Sequence, residues 1–161
     1  MTGVAGWNAL PAAEAEAALR SCCGSAQWVR RMMARRPFGS EAAALDADDR
    51  IWVSLFPIDW REAFSHHPRI GDRNVRGQAA AEQAGTQGAP EAVREALDEA
   101  NRAYEERFGY IFIVCASGKS AEEMLDLCRR RLDNDPVAEL AVSAEEQRKI
   151  TRLRMKKLFA S

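Results

Sequence analysis

His67 is the residue with the clearest potential for acid–base chemistry. It is one of two histidines in the chain and directly precedes Pro68. A short helix is predicted to begin at Pro57, and Trp60, Phe64 and His67 fall on one face of it. Since proline restricts the backbone of the residue before it, we expect this helix to end at His67. A partly buried imidazole at a helix terminus suits a general acid or base, but the pattern also fits a structural histidine bonded to a carbonyl.

Glu82 and Gln83 form a second candidate site in a short alanine-rich element between two loops. A carboxylate beside an amide offers both acceptors and donors, which suits recognition of a polar heterocycle. An ordinary solvated helix face would show the same two residues.

Arg154 lies on the apolar stripe of the last predicted helix, between Ile150 and Leu158. An inward guanidinium needs an anion, a structural carboxylate or a route to solvent. The position therefore indicates either a clamp for a substrate carboxylate or a structural ion pair.

Residues 110–116 are the one segment with the composition of a strand, and no partner strand is evident. We expect an extended segment threaded through the core. Its backbone N–H and C=O groups need partners, which could be a flat, amide-rich ligand, side chains or water.

The elements around these residues are predicted to be helices. The longest clear one, Pro90 to Phe108, has an apolar stripe at helical spacing. Ser25 and Ser40 are predicted helix caps. The pairs Ser120–Glu123 and Ser143–Glu146 have the spacing of capping boxes, so the second is expected to begin the last helix. The predicted fold is all-α, a single compact multi-helix domain over residues 1–161.

Composition excludes several classes of protein. The 23 basic and 24 acidic side chains nearly cancel, which argues against a general nucleic-acid binder. No apolar run is long enough for a membrane span, and neither a secretory leader nor a peroxisomal tripeptide is evident. We therefore expect a cytoplasmic protein. The four cysteines follow no zinc spacing and are expected to be buried thiols.

Several motifs together resemble the 2-oxo-4-hydroxy-4-carboxy-5-ureidoimidazoline (OHCU) decarboxylase family. His66–Gly71 is similar to its His-Pro-x-Ile/Leu-Gly signature, Glu82-Gln83 to its Glu-Gln pair, and Phe108–Ala116 to its Phe-Gly-aromatic-x-Phe segment. Further similarity lies near Cys22–Ser25, Trp28 and Arg36–Phe38, and in the final helix around Arg154. The motifs occur in the family's order from about Leu10 to Phe159.

The resemblance implies an all-helical, cofactor-free, metal-free enzyme of urate breakdown that is usually a homodimer. It acts on a small molecule, the ureidoimidazoline, and releases (S)-allantoin. It implies that His67 and Glu82 are catalytic. The substrate-binding residues that it implies are Pro68, Gln83, Phe112, Ile113, Val114, Cys115, Ala116 and Arg154.

One position departs from the family pattern. Ala79 stands where the family often has a serine, so a hydroxyl contact would be replaced by water or by a residue of the loop 72–78. Two other functions stay open at this point. One is a non-enzymatic helical interaction module, and the other is a different purine-pathway lyase or hydrolase on the same scaffold.

Overall fold

Helices make up the regular structure of the protein in a computed structural model that describes residues 3–160. No strand occurs among these residues, so the all-α prediction is confirmed. The helices are α1 Gly3–Asn8, α2 Ala12–Cys22, α3 Ala26–Ala34, α4 Glu41–Ser54, α5 Pro57–Phe64, α6 Gly77–Glu82, α7 Glu91–Phe108, α8 Ala121–Arg131 and α9 Pro136–Ala160, with a 3₁₀ turn at Ala84–Thr86.

Three predicted helix caps are confirmed. The hydroxyls of Ser25, Ser40 and Ser120 each accept the backbone N–H three residues further on, at the starts of α3, α4 and α8. At Ser120 the reciprocal bond from Glu123 completes the capping box. These bonds satisfy donors that the first turn of a helix leaves without a partner.

The predicted start of the last helix at Ser143 is wrong. Helix α9 begins at Pro136, and Asp135 Oδ1 accepts two N–H groups of its first turn at 3.0 Å each. Asp before Pro at the first helical position is itself a strong start signal. Ser143 lies inside the helix and is fully buried, because its hydroxyl serves a buried polar cluster.

Two compact units divide the chain. The first comprises residues 3–63 and 148–160, where helices α2 and α3 and helices α3 and α4 pack together. Its large buried side chains include Trp7, Leu19, Trp28, Met32, Phe38, Ile51, Trp52, Ile150, Met155 and Phe159. A single domain over the whole chain stays a prediction.

The second unit comprises residues 64–147 and is built on α7 and α8. The predicted stripe of α7 is confirmed, since Leu97, Ala100, Tyr104 and Phe108 are buried and Val93 packs against the same core. Residues 110–116 carry no regular secondary structure. Phe112, Val114 and Ala116 belong to this core.

The terminal predictions rest partly on Met1, Thr2 and Ser161, which lie outside the described residues. Between residues 3 and 160, no helix combines the length and the apolar character that a membrane span requires. All four cysteines are buried and free, as predicted.

Candidate active site

His67 lies in a turn beyond the end of α5, not in the helix. The helix ends at Phe64, three residues earlier than predicted, and the His67 N–H donates to the Phe64 carbonyl at 3.2 Å. Pro68 disfavours the helical conformation at His67. The chain therefore leaves the helix early, and the His67 N–H bonds the carbonyl three residues back, as in a 3₁₀ turn, instead of four residues back. His67 and Pro68 are half-buried and His66 is exposed.

The loop after Pro68 is held by two buried amide side chains. Gln83 Oε1 accepts the Gly71 N–H at 2.9 Å, and Gln83 Nε2 donates to the Arg69 carbonyl at 3.3 Å. Asn101 of α7 donates to the Ile70 carbonyl at 2.8 Å. Gly71 has φ +84°, and a Cβ there would lie 3.0 Å from Leu97, so this position requires glycine.

Glu82 is the last residue of α6 and is half-buried. The 3₁₀ turn that follows packs directly on the backbone of Lys119 and Ser120. A Cβ on Gly85 would lie 1.9 Å from the Lys119 carbonyl oxygen, so only glycine permits this approach. The contact fixes the position of the segment that follows Glu82.

The charge of Glu82 reaches Cys115 of the core segment. Burial raises the pKa of the Cys115 thiol; Lys119 lowers it, and the carboxylates of Glu146 and Glu82 raise it. Hydrogen bonds to the Cys115 backbone place Glu146 and Lys119 beside this residue. A protonated, buried thiol there favours packing over nucleophilic chemistry.

Backbone groups of the core segment are held by side chains at Ile113 and Cys115. The Ile113 carbonyl accepts from Arg131 at 2.6 Å. The Cys115 N–H donates to Glu146 Oε1 at 3.0 Å, and its carbonyl accepts from Lys119 Nζ at 2.7 Å. Side-chain pairing, one of the partners considered from sequence, thus occurs at these two residues.

Val114, between these two anchors, is different. It is only 3% exposed, and within residues 3–160 neither its N–H nor its C=O has a hydrogen-bond partner. The backbone groups of Phe112, which is 2% exposed, are open in the same way within the described residues. Because buried backbone groups are nearly always paired, these open groups are available to a ligand or water.

A buried polar cluster contacts the core segment through Arg131. Arg131 donates to Glu139 Oε2 through Nε at 2.9 Å and through Nη2 at 2.6 Å. The hydroxyls of Tyr104 and Ser143 also bond to this carboxylate. Because Arg131 also donates to the Ile113 carbonyl, the cluster helps to fix the position of the segment in the core.

Two site residues on α9 were not found from the sequence. Gln147 is fully buried, and its Oε1 lies 2.6 Å from His67 Nε2. Its neighbour Glu146, which the sequence suggested as part of a capping box, bonds the Cys115 N–H instead. Consecutive residues of one helix therefore bring the His67 turn and the core segment together within residues 64–147.

Arg154 lies on α9 in the other unit, where it is half-buried. Its Nη1 is 3.4 Å from the Ser21 carbonyl. Ile150 on the same face is buried and Leu158 is half-buried, in line with the apolar stripe predicted for this helix. The convergence of Arg154 with His67 and Glu82 stays a prediction.

The second unit thus joins an imidazole, a half-buried carboxylate and open backbone groups. The imidazole can exchange protons, and the carboxylate can accept N–H groups. The open N–H and C=O of Val114 fit the edge of a planar amide. This combination suits proton transfer to or from a small polar heterocycle.

Comparisons with known proteins identify the family to which this chain is similar. A family model described as OHCU decarboxylase matches residues 8–156. The uric acid degradation bifunctional protein TTL of Arabidopsis thaliana is 40% identical over 148 residues, which cover 86% of this chain and 45% of that protein. This chain therefore spans less than half the length of that relative.

Two further matches span more of their own chains. The 2-oxo-4-hydroxy-4-carboxy-5-ureidoimidazoline decarboxylase of Amia calva is 32% identical over 134 residues, or 77% of this chain and 75% of that protein. A crystal structure of OHCU decarboxylase in the presence of (S)-allantoin superposes with a TM-score of 0.80 at 36% identity. The superposition covers 88% of this chain and 96% of the chain in that crystal structure.

Proposed function

Because the chain belongs to the OHCU decarboxylase family, we propose that it removes carbon dioxide from 2-oxo-4-hydroxy-4-carboxy-5-ureidoimidazoline and releases (S)-allantoin. The enzyme is a carboxy-lyase of urate degradation. The proposal includes no metal and no organic cofactor.

The substrate sets the demands on the site. One ring carbon carries both a hydroxyl and a carboxylate, and the next carries a ureido group. When the bond to the carboxylate breaks, its electron pair passes into the ring. The hydroxyl proton is lost and carbon dioxide leaves. Two protons are taken up: one by the ring nitrogen that receives the electron pair, and one by one face of the ureido-bearing carbon, which gives a single enantiomer.

His67 is the proposed general base for the substrate hydroxyl. Gln147 Oε1 lies 2.6 Å from Nε2 of this half-buried ring, and Nδ1 is the nitrogen proposed to take the proton. Acid–base assistance by a positioned side chain typically contributes about 10²–10⁴ in rate.

Glu82, Gln83 and Pro68 are proposed to shape the pocket for the heterocycle. Glu82 would accept ureido or ring N–H groups. Gln83 already spends one acceptor and one donor on the loop 69–71, and the amide has capacity for one more of each toward substrate. Pro68 would pack against the ring.

The core segment is proposed to bind the amide edge of the substrate. The open N–H and C=O of Val114 are the groups best suited to pair with a cyclic urea. Phe112, Ile113, Cys115 and Ala116 would form the surrounding surface, since Ile113 and Cys115 already use backbone groups on Arg131, Glu146 and Lys119.

Arg154 is proposed to hold the substrate carboxylate before it leaves. A guanidinium matches a carboxylate in geometry and in charge. Fixing the anion fixes the pose, and positioning of this kind lowers a reaction barrier by several kcal/mol.

The open backbone pair of Val114, in the same unit as His67 and Glu82, is the observation that carries the proposal. The test mixes freshly generated ureidoimidazoline with the protein and follows circular dichroism of the product. Optically active (S)-allantoin should form faster than spontaneous decay, which has no chiral guide. A racemic product at the spontaneous rate would reject the proposal.

Assembly and location are proposed from the family resemblance. We propose a cytoplasmic homodimer in which each chain forms one domain. Light scattering should give twice the chain mass, and calorimetry should give one unfolding transition. A fluorescent fusion in the source organism would report the location.

A further inference from the structure

Gln147 meets the imidazole of His67 with a neutral amide. Gln147 is 0% exposed, and its Oε1 lies 2.6 Å from His67 Nε2. An amide oxygen can only accept a hydrogen bond, so the bond requires a hydrogen on Nε2. A neutral ring with hydrogen on Nε2 carries its basic lone pair on Nδ1.

Gln147 is itself held in place by the fold. It lies in α9 next to Glu146, whose carboxylate bonds the Cys115 N–H at 3.0 Å. The backbone of α9 therefore links the orientation of the His67 ring to the position of the core segment. A buried amide left without a partner would cost about 1–3 kcal/mol, which favours keeping this bond.

We propose that Gln147 is a positioning residue that fixes His67 as the Nε2–H tautomer and directs the Nδ1 lone pair toward the substrate hydroxyl. The inference rests on the proposed function for the role of Nδ1, whereas the tautomer itself can be measured without substrate. A neutral amide orients the ring without supplying the negative charge that would favour an imidazolium.

Nitrogen NMR of histidine-labelled protein tests the tautomer. The chain has two histidines, so His66→Asn leaves a single imidazole to observe. At a pH where the ring is neutral, we expect the hydrogen on Nε2. An Nδ1–H tautomer in this protein would overturn the inference.

Two substitutions at Gln147 distinguish the effect of the acceptor oxygen from the effect of side-chain volume. Gln147→Met keeps the volume but removes the acceptor, so the ring should become a mixture of tautomers. Gln147→Glu keeps an acceptor oxygen, so Nε2–H should persist. Tautomer populations equal in the Met variant and the parent would contradict the inference, and circular dichroism shows that each variant is folded.

Kinetics then test the directing role. In Gln147→Met we expect kcat to fall by about 10–100-fold with little change in KM, as is typical when the partner that orients a functional histidine is lost. Gln147→Glu keeps the acceptor oxygen but adds the negative charge that favours an imidazolium, so its kcat should stay low at neutral pH and recover only at higher pH. Exposed Glu145→Gln is the matched control on α9 and should leave both constants unchanged.

The outcomes separate the two ideas. Without decarboxylase activity in the wild-type protein the proposed function fails, although an Nε2–H ring would still be measured. If the protein is active and Gln147→Met retains the parent's kcat, the positioning role fails alone.

Discussion

Two neighbouring residues of the core segment 112–116, Ile113 and Val114, differ in how their backbone groups are bonded. At Ile113, Arg131 and Glu139 form a buried ion pair that also engages Tyr104 and Ser143. At the next residue along, Val114, the N–H and C=O have no partner within residues 3–160. The saturated cluster around Arg131 can only support its surroundings, whereas the open groups of Val114, in the same unit as His67, can take up a ligand.

The comparison predicts that damage at His67 mainly changes catalysis and costs less stability than damage at the saturated cluster around Arg131. His67→Asn should lower kcat by about 10²–10⁴, because the general base is lost. Steady-state kinetics and thermal unfolding measure the two properties. Exposed His66→Asn is the control and should match wild type. Near-wild-type turnover in the His67 variant would break the comparison.

Damage at the saturated cluster should instead destabilise the folded protein. Arg131→Met leaves the Glu139 carboxylate buried without its cation, which typically costs about 3–5 kcal/mol. Denaturant titration measures the loss. Arg130→Met, which breaks only an exposed pair with Asp126, should cost about 1 kcal/mol or less. Equal losses in the two variants would contradict the account.

Asp48, in the other unit, extends the comparison, because only one of the two oxygens of its buried carboxylate has a hydrogen-bond partner within residues 3–160. It is 1% exposed; Oδ1 accepts from Trp28 at 2.9 Å, and Oδ2 has no partner within residues 3–160. Burial raises the pKa of Asp48 from 3.8 to about 7, while the Trp28 bond lowers it and Asp49 raises it. Between these pKa values the folded state binds a proton that the unfolded state lacks, so stability falls as pH rises.

Asp48→Asn should remove this pH dependence. The amide keeps an acceptor for Trp28 and cannot ionise, so the variant should be more stable than wild type at pH 8 by a few kcal/mol. Below about pH 4 the two proteins should be similar. Parallel stability curves from pH 4 to 8 would show that Asp48 titrates normally.

Arg154→Ala is expected to have the smallest effect, because it removes a binding contact and no chemical step. Losing one charge-assisted hydrogen bond typically costs about 1.5–3 kcal/mol, which corresponds to roughly a 10–100-fold rise in KM. Arg152→Ala, on the same helix and paired with Asp49, is the control. An unchanged KM in the Arg154 variant would count against an anion clamp.

Sequence alone predicted the elements whose signals are local. The hydroxyl caps at Ser25, Ser40 and Ser120 and the apolar stripe of α7 follow from spacing within a few residues. The sequence also predicted that residues 110–116 form an extended segment without a partner strand, because they have the composition of a strand and no second such segment is evident.

What sequence missed depends on partners far along the chain. Ser143 has the spacing of a cap but faces Tyr104 and Arg131 inside the core. The His67 turn leaves the helix at Phe64, three residues before the proline signal predicted. Gln147 meets a histidine 80 residues away, and helical periodicity indicates burial without naming the partner.

Release of labelled carbon dioxide tests the central claim most directly. Ureidoimidazoline carrying ¹³C in its carboxylate is mixed with excess enzyme, and dissolved ¹³CO₂ is followed by NMR through a single turnover. The account predicts rapid label release with wild type and the His66→Asn variant, and release slower by about 10²–10⁴ with His67→Asn. Label retained in the product, or equal rates in all three proteins, would contradict it.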